Sequence, residues 1–64
     1  MTDEQITQLT KDYNEKRKSF DFPTVAASES GIRDILKIYP AWEKLEWDTL
    51  LVAIGTYISE LAFD

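Results

Sequence analysis

The hydrophobic positions in the first third of the chain repeat with the period of an α-helix. Four side chains recur at intervals of three, four and seven residues and form one narrow apolar stripe: Ile6, Leu9, Tyr13 and Phe20. Thr2 followed by Gln5 is the pattern of a capping box. The basic run 16–18 and then Pro23 mark the other end, because cations favour a helix C-terminus and proline ends a helix. We predict a first helix between Thr2 and Pro23.

A second, shorter helix is predicted from about Ser30 to Tyr39. Its apolar face consists of Ile32, Ile35, Leu36 and Tyr39, and its charged face of Arg33, Asp34 and Lys37. Ser28 or Ser30 is expected to cap it. The residues between the two helices, Thr24 to Ala27, show no clear period. They form either an extra helical turn or a packed loop.

The last third of the chain predicts a break followed by a long helix. At about 100° per residue, one face of that helix consists of Trp47, Leu50, Leu51, Ile54, Tyr57, Ile58 and Leu61. Extending the helix backwards would place Glu43 in the centre of this face. We therefore predict a short turn from Ala41 to Leu45 and a main helix that begins near Asp48, whose carboxylate is expected to cap it.

A second, smaller stripe lies on the same helix. It consists of Val52, Thr56 and Ser59, with Phe63 at the end and Leu45 before it. Either the helix is central and buried on both sides, or this second face receives another chain. The predicted fold class is all-α: a small irregular three- or four-helix bundle that forms a single helical domain over residues 1–64.

The residue inventory argues against catalysis. The chain has 64 residues with no cysteine and no histidine, which excludes disulfides, the usual zinc sites, thiol nucleophiles and imidazole bases. Gly31 and Gly55 are isolated, so neither belongs to a glycine-rich phosphate loop. The acid pairs at 12 and 15 and at 43 and 46 have helical spacing but no apolar enclosure. We expect a protein that is not an enzyme and that holds no cofactor or metal.

The charge distribution favours a basic partner over a nucleic acid. The formal net charge is −5, and every charge after Lys44 is acidic: Glu46, Asp48, Glu60 and Asp64. Such a surface repels phosphates and attracts basic proteins, although it can also serve solubility alone. The run Lys16–Lys18, together with Arg33 and Lys37, is the candidate for phosphate contacts. The alternative role of that run is to cap a helix C-terminus.

The chain is expected to be cytoplasmic and to have no membrane partner. Thr2, Asp3 and Glu4 follow Met1 where a signal peptide would have positive charge and then an apolar stretch. The uncharged run from Thr49 to Ser59 is about half of the length needed to span a bilayer.

The aromatic content indicates an interface. Two Trp, three Tyr and three Phe are more than a small three-helix core hides, and exposed aromatic residues are enriched in protein interfaces. The two tryptophans are either core anchors or interface residues. We predict a small cytosolic protein-interaction module, an inhibitor or adaptor that docks on a larger protein, for which a basic surface is favoured. Its predicted partner-binding residues are Trp42, Leu45, Trp47, Val52 and Phe63.

Two other functions remain open. The first is a structural homo-oligomer, such as a homodimer, that pairs through the C-terminal helix. The second is a weak nucleic-acid-binding regulator that acts through the basic end.

Overall fold

The computed structural model describes residues 1–63, which form three α-helices joined by irregular and 3-10 segments. The α-helices are α1 (Asp3–Lys16), α2 (Glu29–Ile38) and α3 (Trp47–Phe63). Short 3-10 helices cover Arg17–Ser19 and Pro40–Lys44, and residues 1–63 contain no strand. The all-α prediction is confirmed, with three α-helices packed into a small bundle. Asp64, counted above among the acidic residues, lies outside the described residues.

The predicted cap of α1 is present. The backbone N–H of Gln5 donates to Thr2 Oγ1 at 3.2 Å, and the backbone N–H of Thr2 donates to Gln5 Oε1 at 2.9 Å. After Lys16 the chain tightens into the first 3-10 helix and leaves the helical conformation at Phe20. The stripe prediction is therefore wrong for Phe20 as a helical residue. Its ring nevertheless packs against the core from outside α1.

Ser28 caps α2, and Pro40 limits its far end. Ser28 Oγ accepts the backbone N–H of Gly31 at 3.1 Å. Tyr39 has φ −124° and ψ 70°, outside the helical region, because a residue before proline is pushed away from helical geometry. The prediction that Tyr39 lies on the buried face of α2 is wrong. Its exposed ring instead stacks on Trp42, with the centroids 4.4 Å apart.

The predicted break before the last helix is confirmed as the 3-10 helix Pro40–Lys44. The predicted cap is wrong, because α3 already begins at Trp47 and Asp48 lies inside its first turn. The carbonyl of Glu46 accepts the first backbone bond of the helix, from the N–H of Leu50 at 2.8 Å. The carboxylate of Asp48 still stabilises α3, because negative charge is favoured in the first turn.

All three α-helices contribute to one hydrophobic core. Its buried members are Ile6, Leu9, Tyr13, Ile32, Ile35, Leu36, Leu50, Leu51, Ile54 and Ile58. These residues belong to the stripes predicted from the sequence. Leu61, predicted on the main stripe of α3, is 69% exposed. It lies one turn beyond Ile58, the last buried residue of α3, so the prediction is wrong there.

Candidate protein-binding groove

An open groove of about 340 Å³ lies between residues 25–28, α2 and the C-terminal half of α3. The buried side chains of Ile35 and Ile58 form its base. Three apolar side chains at its edges are exposed to solvent: Val25 at 43%, Ile38 at 55% and Leu61 at 69%. A cluster of exposed apolar side chains around a concave surface is typical of an interaction site, and scattered single ones are not.

Side chains of α1 hold the wall formed by residues 25–28 in place. The Tyr13 hydroxyl donates to the carbonyl of Val25 at 2.9 Å. Asn14 Nδ2 donates to the carbonyl of Ala27, and the backbone N–H of Ala27 donates to Asn14 Oδ1, both at 2.9 Å. The amide side chain of Asn14 thus pairs with Ala27 as a neighbouring strand would. Of the two alternatives for Thr24–Ala27, the packed loop is the observed one.

Tyr13 is fully buried beneath this wall. Burial raises the pKa of the Tyr13 phenol above its ordinary value, while the Thr24 hydroxyl and the Arg17 guanidinium act in the opposite direction. The phenol therefore stays protonated at neutral pH, and its hydroxyl keeps donating to Val25.

The charge at the groove is negative. Among the described residues that line it, Asp34 is the only charged one. The two ion pairs found within residues 1–63 lie elsewhere: Arg33 binds Asp3 at 2.9 Å, and the N-terminal amine binds Glu43. The carboxylate of Asp34 is exposed and takes part in neither pair, so it is free to meet a cation brought by a ligand.

An aromatic cluster adjoins the groove. Tyr57, which lines the groove, makes edge contacts with Tyr39 and Trp42 at centroid distances of 5.5 and 6.5 Å. Trp42 is half-buried and packs against the core. Of the predicted partner-binding residues, Trp42 is therefore connected to the groove through Tyr57.

The other predicted partner-binding residues lie away from the groove. Val52 and Phe63 are exposed on one face of α3, and Leu45 is exposed just before the helix. Val52 and Leu61 are nine residues apart, which places them on opposite faces of α3. Trp47 is half-buried against α1, where its Nε1–H donates to Asp12 Oδ2 at 2.8 Å. The five residues thus do not form one surface.

Of the second stripe, Val52 and Thr56 are solvent-exposed and Ser59 is half-buried. Within the described residues α3 is therefore not buried on both sides, which was the first of the two alternatives for this stripe.

The groove is not predicted by the sequence pattern. Its edge residues carried only a weak signal, because Val25 lies in a segment without a period and Ile38 lies beside the apolar stripe of α2. The three apolar residues share no helix face. The hydrogen bond from Tyr13 of α1 places Val25, and the helices that carry Ile38 and Leu61 both pack on α1.

The candidate basic surface is divided between the two ends of α1. The run Lys16–Lys18 begins at the last residue of α1, whereas Arg33 binds Asp3 in the first turn. A helix of 14 residues is about 20 Å long. These cations therefore do not converge on one phosphate-binding surface.

In comparisons with known proteins, no protein-family model, curated protein or solved structure matches the chain. Within residues 1–63, no helix is long and apolar enough to cross a membrane. The same part of the chain contains no group of three or more acidic side chains arranged to hold a metal ion.

Proposed function

We propose that this chain is a small, non-enzymatic protein-interaction module of the cytoplasm, an inhibitor or adaptor that binds a larger protein through the groove. One observation carries the proposal: Val25, Ile38 and Leu61 expose apolar surface around a single concavity. Fully burying an apolar side chain stabilises a complex by roughly 1.5–3 kcal/mol, so covering these three partly exposed ones contributes on the order of 3 kcal/mol.

The chemistry of the groove favours a protein over a small molecule. Specific small-molecule sites combine apolar walls with several polar groups that converge on the ligand. Here Asp34 supplies the only side-chain charge among the described lining residues, and the base is aliphatic. Such a surface binds apolar side chains of a partner and discriminates little between small ligands.

The partner is proposed to be basic. Asp34 lines the groove, and Glu60, which precedes Leu61 in the sequence, is exposed on α3. The chain as a whole carries a formal net charge of −5. Complementary charge accelerates association and suppresses binding to acidic competitors.

The test compares the groove with the opposite face of α3 by matched substitutions. Leu61→Asp and Ile38→Asp place a charge at the groove, and Val52→Asp places the same charge on the opposite face at an exposed position. Each variant is first shown to be folded by circular dichroism. The tagged chain is then used for quantitative affinity capture, and binding of each captured partner is measured with purified proteins.

We expect Leu61→Asp and Ile38→Asp to abolish partner binding and Val52→Asp to preserve it. The reverse pattern would contradict the proposal and favour the predicted residues Val52 and Phe63 as the binding surface.

Self-association through α3 is the second candidate function. The observation that favours it is the uncovered face formed by Val52, Thr56 and Phe63. Light scattering across a concentration series measures the mass directly. A dimer that Val52→Asp dissociates and Leu61→Asp leaves intact would establish this candidate.

A further inference from the structure

The wall of the groove lies outside the helices and is held to α1 at alternate residues. Residues 23–28 form no helix or turn, and Ser28 at their end is extended, with φ −95° and ψ 166°. The carbonyls of Val25 and Ala27 both bond to side chains of α1. In an extended chain, the N–H and C=O groups of successive residues point to opposite sides. Those of the intervening Ala26 make no bond to α1, which fits this alternation.

The backbone groups of Ala26 have no partner within the described part of the chain. Neither its N–H nor its C=O takes part in any of the hydrogen bonds of residues 1–63. Ala26 is exposed and lines the groove. One edge of this segment is thus held by α1, and the other presents a free donor and a free acceptor beside an apolar surface.

We infer that the groove binds an extended peptide segment of the partner, which pairs with the backbone of Ala26 as an added strand. Alternate apolar side chains of that segment pack over Ile35 and Ile58, and a lysine or arginine of the segment lies opposite Asp34. This inference rests on the proposed function, because it specifies what the groove binds.

The unpaired groups of Ala26 favour a strand over a helix as the occupant. A helix satisfies its own backbone groups, so a helix in this groove would cover the N–H and C=O of Ala26 without replacing their bonds to water. Burying a polar group without a hydrogen bond is unfavourable. An extended segment supplies one acceptor and one donor at the required spacing.

The test begins with a defined probe. A phage-displayed library of random peptides is selected on the immobilised full-length chain, and the enriched peptides are synthesised. We expect these peptides to alternate apolar and polar positions and to contain lysine or arginine. In the complex with the unmodified chain, hydrogen exchange of the Ala26 amide should slow, because that amide becomes a donor to the peptide.

Two substitutions at one position isolate the backbone bond. Ala26→Pro removes the N–H and remains compatible with an extended backbone, whereas Ala26→Gly keeps the N–H and serves as the matched control. We expect Ala26→Pro to weaken peptide binding about tenfold and Ala26→Gly to change it by less than about threefold. Asp34→Asn should weaken the binding of basic peptides. The difference in affinity between this variant and the unmodified chain should shrink as the salt concentration increases.

Several results would overturn the inference. They are equal affinity of the Pro and Gly variants, unchanged exchange of the Ala26 amide, enriched peptides that become helical on binding, or no enriched peptide at all. If Ala26→Pro is without effect while Ile38→Asp abolishes binding, the extended mode fails and the groove remains the proposed site. If Ile38→Asp is also without effect, the proposed function fails as well.

Discussion

Gly55 is buried in the middle of α3, where the ring of Phe20 lies against it. A Cβ at this position would stand 3.0 Å from Cδ2 of Phe20 and closer still to Cε2. Phe20 has limited room to retreat, because its ring stacks on Phe22 at a centroid distance of 5.0 Å. Glycine here is a packing requirement, although it lowers the helix propensity of α3.

Gly55→Ala tests this packing, because its effect on the free energy of unfolding should change sign when Phe20 is removed. Alanine improves helix propensity by about 1 kcal/mol, whereas overpacking a well-filled site costs about 1–3 kcal/mol. We expect a net destabilisation of up to about 2 kcal/mol in the unmodified chain. In a Phe20→Ala background the same substitution should stabilise by about 1 kcal/mol. Urea unfolding measures both, and stabilisation in both backgrounds would show that Phe20 does not restrict position 55.

Tyr13 makes stability depend on alkaline pH. Burial raises the pKa of its phenol in the folded chain, so above about pH 10 the unfolded state loses this proton first. The unfolded state then binds fewer protons than the folded state, and the free energy of unfolding falls as pH rises. The contribution of the Tyr13 phenol to the free energy of unfolding is fully present below about pH 10 and is lost as pH rises through the pKa of the folded state.

Tyr13→Phe removes the titrating group and is expected to flatten this dependence. At neutral pH the variant should be less stable by about 1 kcal/mol, because it loses the hydrogen bond to Val25. Thermal unfolding across an alkaline pH series compares the two chains. Parallel curves would show that the pH dependence arises elsewhere.

At the level of elements, α3 has a buried and an exposed face with different expected roles. Ile54 is fully buried, whereas Val52 is 42% exposed. We expect Ile54→Ala to cost about 2–5 kcal/mol, a large part of the stability of a domain this small. Val52→Ala should cost less than about 1 kcal/mol. Urea unfolding measures both losses of stability. Equal losses in the two variants would show that the Val52 face is also packed.

The sequence predicts the helices better than it predicts where they end and how they pack. The stripes of α1, α2 and α3 and the break before α3 follow from local periodicity, which is why the core residues were predictable. α2 ends at Ile38, one residue before the predicted end, because Pro40 restricts Tyr39 to a non-helical conformation. The exposure of Leu61 depends on where the other helices end. The hydrophobic periodicity of α3 does not indicate those positions.

The candidate site was less predictable, because it depends on pairings between distant residues. Asn14 lies on a helix of mixed polarity, and nothing local indicates that its side chain pairs with Ala27. The predicted site consists of aromatic and apolar residues on α3 and in the segment before it. Of these residues, Trp42 contacts Tyr57 of the groove. No local pattern places Val25 and Ile38 around one concavity.

At the scale of the whole molecule, the separated cations predict that nucleic acid is not bound. The net charge is −5, and Arg33 is paired with Asp3 at a distance from the run 16–18. We expect no binding to random duplex or single-stranded DNA at physiological salt and tens of micromolar chain, where non-specific binders with affinities of ~10⁻⁴ to 10⁻⁶ M register. Fluorescence anisotropy measures this.

A variant with Lys16→Ala, Arg17→Ala and Lys18→Ala is the control for that experiment. Salt-sensitive binding by the unmodified chain that disappears in this variant would assign the basic run a phosphate-binding role.

The two tryptophans give the molecule a built-in optical reporter. The indole of Trp42 stacks on Tyr39 and meets the edge of Tyr57, a residue of the groove, whereas the indole of Trp47 is bonded to Asp12 on the α1 side. A ligand that displaces water around Tyr57 alters the surroundings of Trp42 and leaves those of Trp47 unchanged. In a Trp47→Phe chain, the intrinsic emission therefore reports occupancy of the groove without any attached label.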